Sequence, residues 1–225
     1  MKIEDMIGKI IKANCLDILK QLPDKSIDLI LTDPPYGIGV GKKTCIYDGK
    51  KHGHAATNRR NYTEKDWDND IPPKEIFDEM IRVSKNQIIF GGNYFVEYLT
   101  NSPCWIVWDK MNGNNDFADC ELAWTSFKSA VRKYEYMWNG MLQQNMKNKE
   151  IRIHPTQKPA DLLAMIIRDY SKENELILDC FSGSCSTAIA CNRMGRRFIC
   201  IEIDEEYCEL AQKRLDEQQR QGVLF

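Results

Sequence analysis

The chain has 225 residues, of which 43% are hydrophobic, 28% charged and 10% aromatic, with only 13 Gly and 8 Pro. That length and composition exclude a disordered, collagen-like or low-complexity chain and suit one domain with a sizeable core. A formal net charge of −2 excludes a binder that is basic all over, while leaving room for a local basic face.

In chain order, Ile7 to Lys12 predicts a strand, and Cys15 to Leu22 a short helix ended by Pro23. Ile27 to Thr32 is an apolar run, the pattern of a strand buried on both faces. Helical spacing of Ile76, Phe77, Met80, Ile81 and Val83 predicts a helix over 73–83, with Pro73 in the permitted first turn. Strands follow at Gln87 to Phe90 and Trp105 to Trp108, with a helix between them at Tyr94 to Leu99. Glu121 to Phe127 is strand-like, Ala160 to Tyr170 a buried helix, and Glu175 to Asp179 a strand. Ser186 to Met194 is a helix stopped by Gly195, Phe198 to Ile203 a strand, and Glu205 to Gln219 a closing helix. Strands alternating with helices imply an α/β fold with a doubly wound, mostly parallel sheet in one domain spanning 1–225. Residues 37–71 and 110–153 break the rhythm and are expected as inserted functional loops.

No stretch reaches membrane-spanning length, and Met1-Lys2-Ile3-Glu4-Asp5 lacks a signal-peptide plan, so a soluble cytoplasmic protein is expected. The 9 cysteines are scattered and never form C-x-x-C, which predicts reduced, mostly buried thiols without disulfides. Cys45 with His52 and His54 is the one mixed cluster, and no metal is expected there.

Two strand ends carry chemistry, because ligands of open α/β sheets bind beyond the carboxyl ends of the strands. At the first, Asp33-Pro34-Pro35-Tyr36 offers a carboxylate and carbonyls, while the prolines supply no N–H. Such an acceptor-only turn suits a group bearing two N–H bonds, and Tyr36 adds a flat face for a base. At the second, Asp179-Cys180-Phe181-Ser182-Gly183-Ser184-Cys185-Ser186-Thr187 makes a small-residue turn opening a helix. Glu202 follows at the end of the next strand, where Rossmann-like sites place an acid on ribose hydroxyls. Between them, His154-Pro155-Thr156-Gln157-Lys158-Pro159 is a polar turn carrying a cation that could meet a carboxylate.

Taken together, D-P-P-Y, then H-P-T-Q-K-P, then the F-x-G loop with its following acid resemble the S-adenosylmethionine-dependent DNA amino-methyltransferases in their permuted (β-group) order. The resemblance runs from Asn14 to Arg214 and is nearest to small bacterial and phage adenine-N6 methylases. It implies a Rossmann-like class I fold, catalysis by Asp33, Pro34, Pro35 and Tyr36, and S-adenosylmethionine as cofactor. Asn14, Cys15, Asp33, Asp179, Phe181, Ser182, Gly183, Ser184, Ser186 and Thr187 would line the cofactor site, with Thr156, Gln157 and Lys158 at the methionine end and Glu202 on the ribose. Asn14 stands where the family usually has Asp, and Cys185 where it has a second glycine. Cytosine-N4 methylation and a non-catalytic DNA-binding regulator are the alternatives; Asp rather than Ser at position 33 favours adenine.

The implied partner is double-stranded DNA, whose target base must flip out to be reached. Lys42, Lys43, Lys50, Lys51, Arg59 and Arg60 are candidate phosphate contacts. Lys110, Asn112, Asn114 and Asn115 are candidates for reading base edges. At the C-terminus, Gln221, Leu224 and Phe225 form Q-x-x-L-F, which resembles the peptide by which bacterial proteins dock on the replication sliding clamp. A core-packed tail is the other reading of those residues, and a homodimer is a further possible assembly.

Overall fold

In the computed structural model, residues 2–39, 67–113, 118–139 and 142–222 are described. Among the described residues ten strands run in chain order as β1 (Lys9–Lys12), β2 (Ile27–Thr32), β3 (Ser84–Phe90), β4 (Trp105–Asp109), β5 (Cys120–Thr125), β6 (Arg132–Glu135), β7 (Trp138–Asn139), β8 (Leu142–Gln143), β9 (Leu176–Asp179) and β10 (Arg197–Glu202). The helices are α1 (Cys15–Leu19), α2 (Lys74–Val83), α3 (Ala160–Tyr170), α4 (Ser186–Met194) and α5 (Glu205–Gly222). Eight strands form one sheet in the order β1-β10-β9-β2-β3-β5-β4-β6, and β7 with β8 makes a separate ribbon. All neighbours in the large sheet pair in parallel except β5, which runs antiparallel to both β3 and β4.

Period-two alternation divides the core between the two faces of the sheet. Leu31 of β2, Ile88 of β3, Ile177 of β9 and Cys200 of β10 face one side, where they pack with Leu162 and Ile166 of α3, Ile189 of α4 and Leu215 of α5. Ile30, Ile89, Leu178 and Ile201 face the other side and meet Ile18 of α1 with Phe77 and Met80 of α2. With helices on both faces, the sheet is doubly wound and mostly parallel, as the alternating pattern predicts.

Several boundaries follow the local signals closely. Strand β2, helix α3 and helix α4 occupy the predicted residues, and α4 ends on Gly195 in the left-handed conformation at φ 67°. The helix predicted at Tyr94 to Leu99 does not form; a 3-10 turn covers Gly92–Tyr94 instead. Six residues are too few for a stable helix without packing, and Val96 is 61% exposed. The segment 110–153 is likewise not wholly an inserted loop, because β5 and β6 join the main sheet.

The expected phosphate contacts Lys42, Lys43, Lys50, Lys51, Arg59 and Arg60, together with Asn114, Asn115, Leu224, Phe225 and the Cys45, His52 and His54 group, lie outside the described residues. Gln221 sits in the last turn of α5. Among the described residues no helix is long and apolar enough to cross a membrane.

One buried ion pair ties the closing helix to the loops at the sheet's carboxyl edge. Arg214 of α5 bonds Glu150 at 2.6 Å, the Ser184 carbonyl at 2.7 Å and the Ser186 hydroxyl at 2.9 Å. Glu150 also accepts from the Ala160 N–H, at the start of α3, at 3.0 Å. Arg214→Ala leaves Glu150 buried beside two orphaned acceptors and should lower the unfolding free energy by about 3–5 kcal/mol in urea titrations. A loss under about 1 kcal/mol would mean that the pair behaves like an exposed one.

Candidate active site

The carboxyl ends of β2, β9 and β10 open together onto a cavity of about 310 Å³, within the range of small-molecule sites. Strand β2 lies between β9 and β3, so the crevice falls where the strand order reverses. Asp33, Pro35, Thr156, Gln157 and Lys158 line it from one side. Asp179, Phe181, Ser182, Gly183, Ser184, Ser186, Thr187 and Glu202 line it from the other.

Asp179 staples the two constellations together. Its carboxylate accepts from the Thr32 hydroxyl at 2.7 Å, the Thr187 hydroxyl at 2.6 Å and the Phe181 N–H at 3.1 Å. Burial pushes this carboxyl up to about 6. The turn that follows runs through Gly183 at φ 46° and Cys185 at φ 62°. A non-glycine residue in that region costs about 1–2 kcal/mol, and the fully buried Cys185 side chain is held there by core packing. Glu202 fastens the turn from the next strand, accepting from the Gly183 N–H at 2.8 Å and the Asp204 N–H at 2.9 Å. Burial raises the Glu202 carboxyl as well.

The D-P-P-Y turn is held by a residue the sequence did not single out. Asp68 accepts from the Tyr36 N–H at 2.7 Å and the Gly37 N–H at 3.0 Å. The Tyr36 hydroxyl donates to Asp33 at 2.5 Å, and its ring stacks on Tyr94 at 4.7 Å. A β-carbon at Gly91 would lie 2.1 Å from the Tyr36 ring, so this position requires glycine. Tyr36 therefore sits beside the cavity, packed between its neighbours, rather than lining it.

Lys158 places its ammonium against the other Asp33 oxygen and 3.1 Å from Glu121 of β5. Glu121 is in turn paired with Lys110 at 2.6 Å. The four side chains are 8% (Lys158), 20% (Asp33), 22% (Glu121) and 17% (Lys110) exposed, and their charges alternate along the row. Burial alone would pull the Lys158 ammonium down, but the carboxylates of Asp33 and Glu121 outweigh it and raise its pKa. The main chain of Lys158 is fixed by a 2.7 Å bond from the Ser186 hydroxyl to its carbonyl.

Other expected site residues are placed elsewhere. Asn14 caps α1 by accepting from the Leu16 N–H at 3.0 Å, and Cys15 is buried in the core; neither lines the cavity. Pro34 also lies outside the lining. Lys110 is held by Glu121, and the Asn112 amide donates to the Ala118 carbonyl at 2.9 Å, so both are engaged within the protein. Conversely, Trp67, His154 and Tyr207 form a cavity wall that sequence reading missed, with ring centroids 5.0 and 4.3 Å apart in turn. His154 stood inside the H-P-T-Q-K-P segment, and Glu121 as an acid inside an apolar strand was its own signal. Among the described residues no group of side chains could hold a metal ion.

The buried Asp179 carboxyl carries a pH signature. An acid whose native pKa of about 6 lies above its ordinary 3.8 binds its proton more tightly when folded. Its contribution to stability is full below the lower value and disappears as pH rises through the upper one. Relative to Asp179→Asn, the parent should lose roughly 2–3 kcal/mol of unfolding free energy between those two values. Denaturant titrations across that interval measure it, and a pH-independent difference would place the native pKa near its ordinary value.

The sequence also matches known proteins. A family described as DNA methylase, of the N6/N4 type, matches residues 105–213, from β4 into α5. The Type II methyltransferase M.HinfI of Haemophilus influenzae is 27% identical over 96% of this chain and 70% of its own length. The M1.HpyAVI–SAM complex superimposes with a TM-score of 0.56 at 24% identity, covering 92% of this chain and 99% of that one. The cytosine-N4-specific PvuII DNA methyltransferase gives 0.55 at 15% identity, covering 94% and 90%. Sequence likeness over nearly the whole chain and a shared fold agree, and together they make this protein similar to the DNA methyltransferases of the N6/N4 type.

Proposed function

We propose that the protein transfers a methyl group from S-adenosylmethionine to the N6 amine of an adenine flipped out of duplex DNA. The observation that carries this reading is the Asp33 carboxylate, held at the cavity wall on a turn whose two prolines present no competing N–H. The cavity also suits the cofactor in its unfilled polar groups. The Ser182 hydroxyl and the Trp67 indole N–H are buried in the lining without a hydrogen-bond partner, and a bound amino acid moiety would satisfy both. Glu202, with lone pairs beyond its backbone contacts, is the residue that would hold ribose hydroxyls. Phe181, Gly183 and Thr156 are the residues that would wrap the methionine end.

When bound, S-adenosylmethionine supplies an electrophilic methyl carbon on a cationic sulfur. The chain's own task is the amine, whose lone pair is otherwise delocalised into the ring. Asp33 and the Pro34 carbonyl would accept its two N–H bonds and favour a pyramidal nitrogen. Positioning and fixed electrostatics then supply most of the acceleration. Tyr36, backed by Tyr94, would support the extracted base from the side.

A cytosine-N4 amine asks the same of Asp33, and the fold is shared with a cytosine-N4 enzyme. Nucleoside mass spectrometry of DNA from cells expressing the protein separates the readings. N6-methyladenine is expected; N4-methylcytosine would replace the substrate, and no methylated base would favour a regulator. Asp33→Ala should cut methyl transfer by at least about a hundredfold, while calorimetric affinity for S-adenosylmethionine stays nearly unchanged. Glu202→Ala should instead weaken cofactor binding by about 1.5–3 kcal/mol, the loss of a charge-assisted hydrogen bond. Unaltered affinity in that variant would move the ribose away from Glu202.

A further inference from the structure

Both oxygens of Asp33 are already occupied, one by the Tyr36 hydroxyl and one by the Lys158 ammonium. A carboxylate so engaged is a poor acceptor for a docking amine until one partner leaves. Lys158 cannot leave into empty space, because its side chain is 8% exposed and an unpaired buried ammonium is strongly disfavoured. The ring faces of Phe90 and Tyr36, at 5.2 and 5.9 Å, close its other sides.

Glu121 stands next to it and already shares the ammonium at longer range. Its Oε1 is anchored by Lys110 at 2.6 Å. Its Oε2 lies 3.1 Å from the Lys158 Nζ, yet is buried and receives no hydrogen bond of proper direction. That oxygen is a second acceptor, already beside the ammonium that Asp33 holds more closely.

We propose that Glu121 is a positioning residue that takes over the Lys158 ammonium when the target amine docks, releasing Asp33 to accept the amine's N–H. The exchange needs a small rotation about the lysine side chain, since its main chain is pinned through Ser186 and Arg214. No charge is created or stranded: the row Asp33, Lys158, Glu121, Lys110 keeps two carboxylates and two ammoniums throughout. The inference rests on the methyl-transfer reading of the site and adds to it a residue that touches neither base nor cofactor.

The ionisable groups around Asp33 set the direction of the test. They are Tyr36 on its own turn, Tyr94 behind that ring, Lys158 before α3, Glu121 on β5, Lys110 after β4 and Asp179 at the end of β9. The Glu121 charge raises the Asp33 pKa, and the Lys110 ammonium in turn lowers the Glu121 pKa and keeps that carboxylate ionised. Steady-state methylation of unmethylated bacterial genomic DNA, followed across pH, compares the parent with Glu121→Gln, Glu121→Asp and Lys110→Met. For Glu121→Gln, kcat should fall roughly tenfold with KM and cofactor affinity little changed, and the acid limb should move down by about 0.5–1 pH unit. Glu121→Asp should recover part of kcat, and Lys110→Met should move the acid limb upward. Parental kcat and an unmoved acid limb in Glu121→Gln would overturn the inference. Should Glu121→Gln fail to fold, a Lys110→Met acid limb that stays or moves down overturns it alone. A parent without methyl transfer defeats the functional reading instead; the NMR resonance of the Lys158 Nζ then decides, and its failure to move in Glu121→Gln or Lys110→Met overturns the inference.

Discussion

The ammonium of Lys158 is the constraint around which the site is arranged. A buried cation is tolerated only with opposite charge close by, and here Asp33 and Glu121 come from strands β2 and β5 on either side of β3. Lys158 sits just before α3, so the helix can approach the sheet only where both carboxylates reach it. Arg214 and Ser186 hold that approach from behind through the Lys158 carbonyl. The Asp33 carboxylate, the turn into α3 and the start of α4 therefore share one connected set of polar contacts.

A second polar knot serves the neighbouring half of the cavity. Asp179 joins Thr32 at the end of β2 to Thr187 in α4, which keeps the D-P-P-Y turn and the small-residue turn at a fixed separation. Glu202 then binds the small-residue turn from β10. Both acids are buried with their pKa raised by desolvation, and both are stabilised by donors from loops far apart in sequence. The rigidity of the crevice comes from these carboxylates, while its shape comes from the reversal of strand order between β9 and β3 about β2.

Much of this was legible in the chain. The apolar runs of β2, β9 and β10 and the 3.6-residue spacing of α2 and α3 reflect burial, which acts residue by residue along an element. The stiff Asp33–Tyr36 turn and the small residues from Phe181 to Thr187 advertise their chemistry because backbone restriction is local. The failures have the same origin. Tyr94 to Leu99 has apolar spacing, but only neighbours from other elements could have made it helical, and Tyr94 stacks on Tyr36 instead. Strand β6 shows little apolar pattern in Arg132–Glu135 and exists because β4 offers it a free edge.

The sequence by itself determined most of the strands and helices, where the strand ends carry carboxylates, and which turns lack donors. These are properties of a residue and its immediate neighbours. Only the tertiary structure decided that Lys158 meets Asp33, 125 positions away, and that Glu121 waits beside it. It also decided that Asn14 caps a helix, that Lys110 is held inside, and that Asp68 clasps the D-P-P-Y turn. Such pairings depend on the order in which strands lie across the sheet, and no local period or turn preference encodes that order.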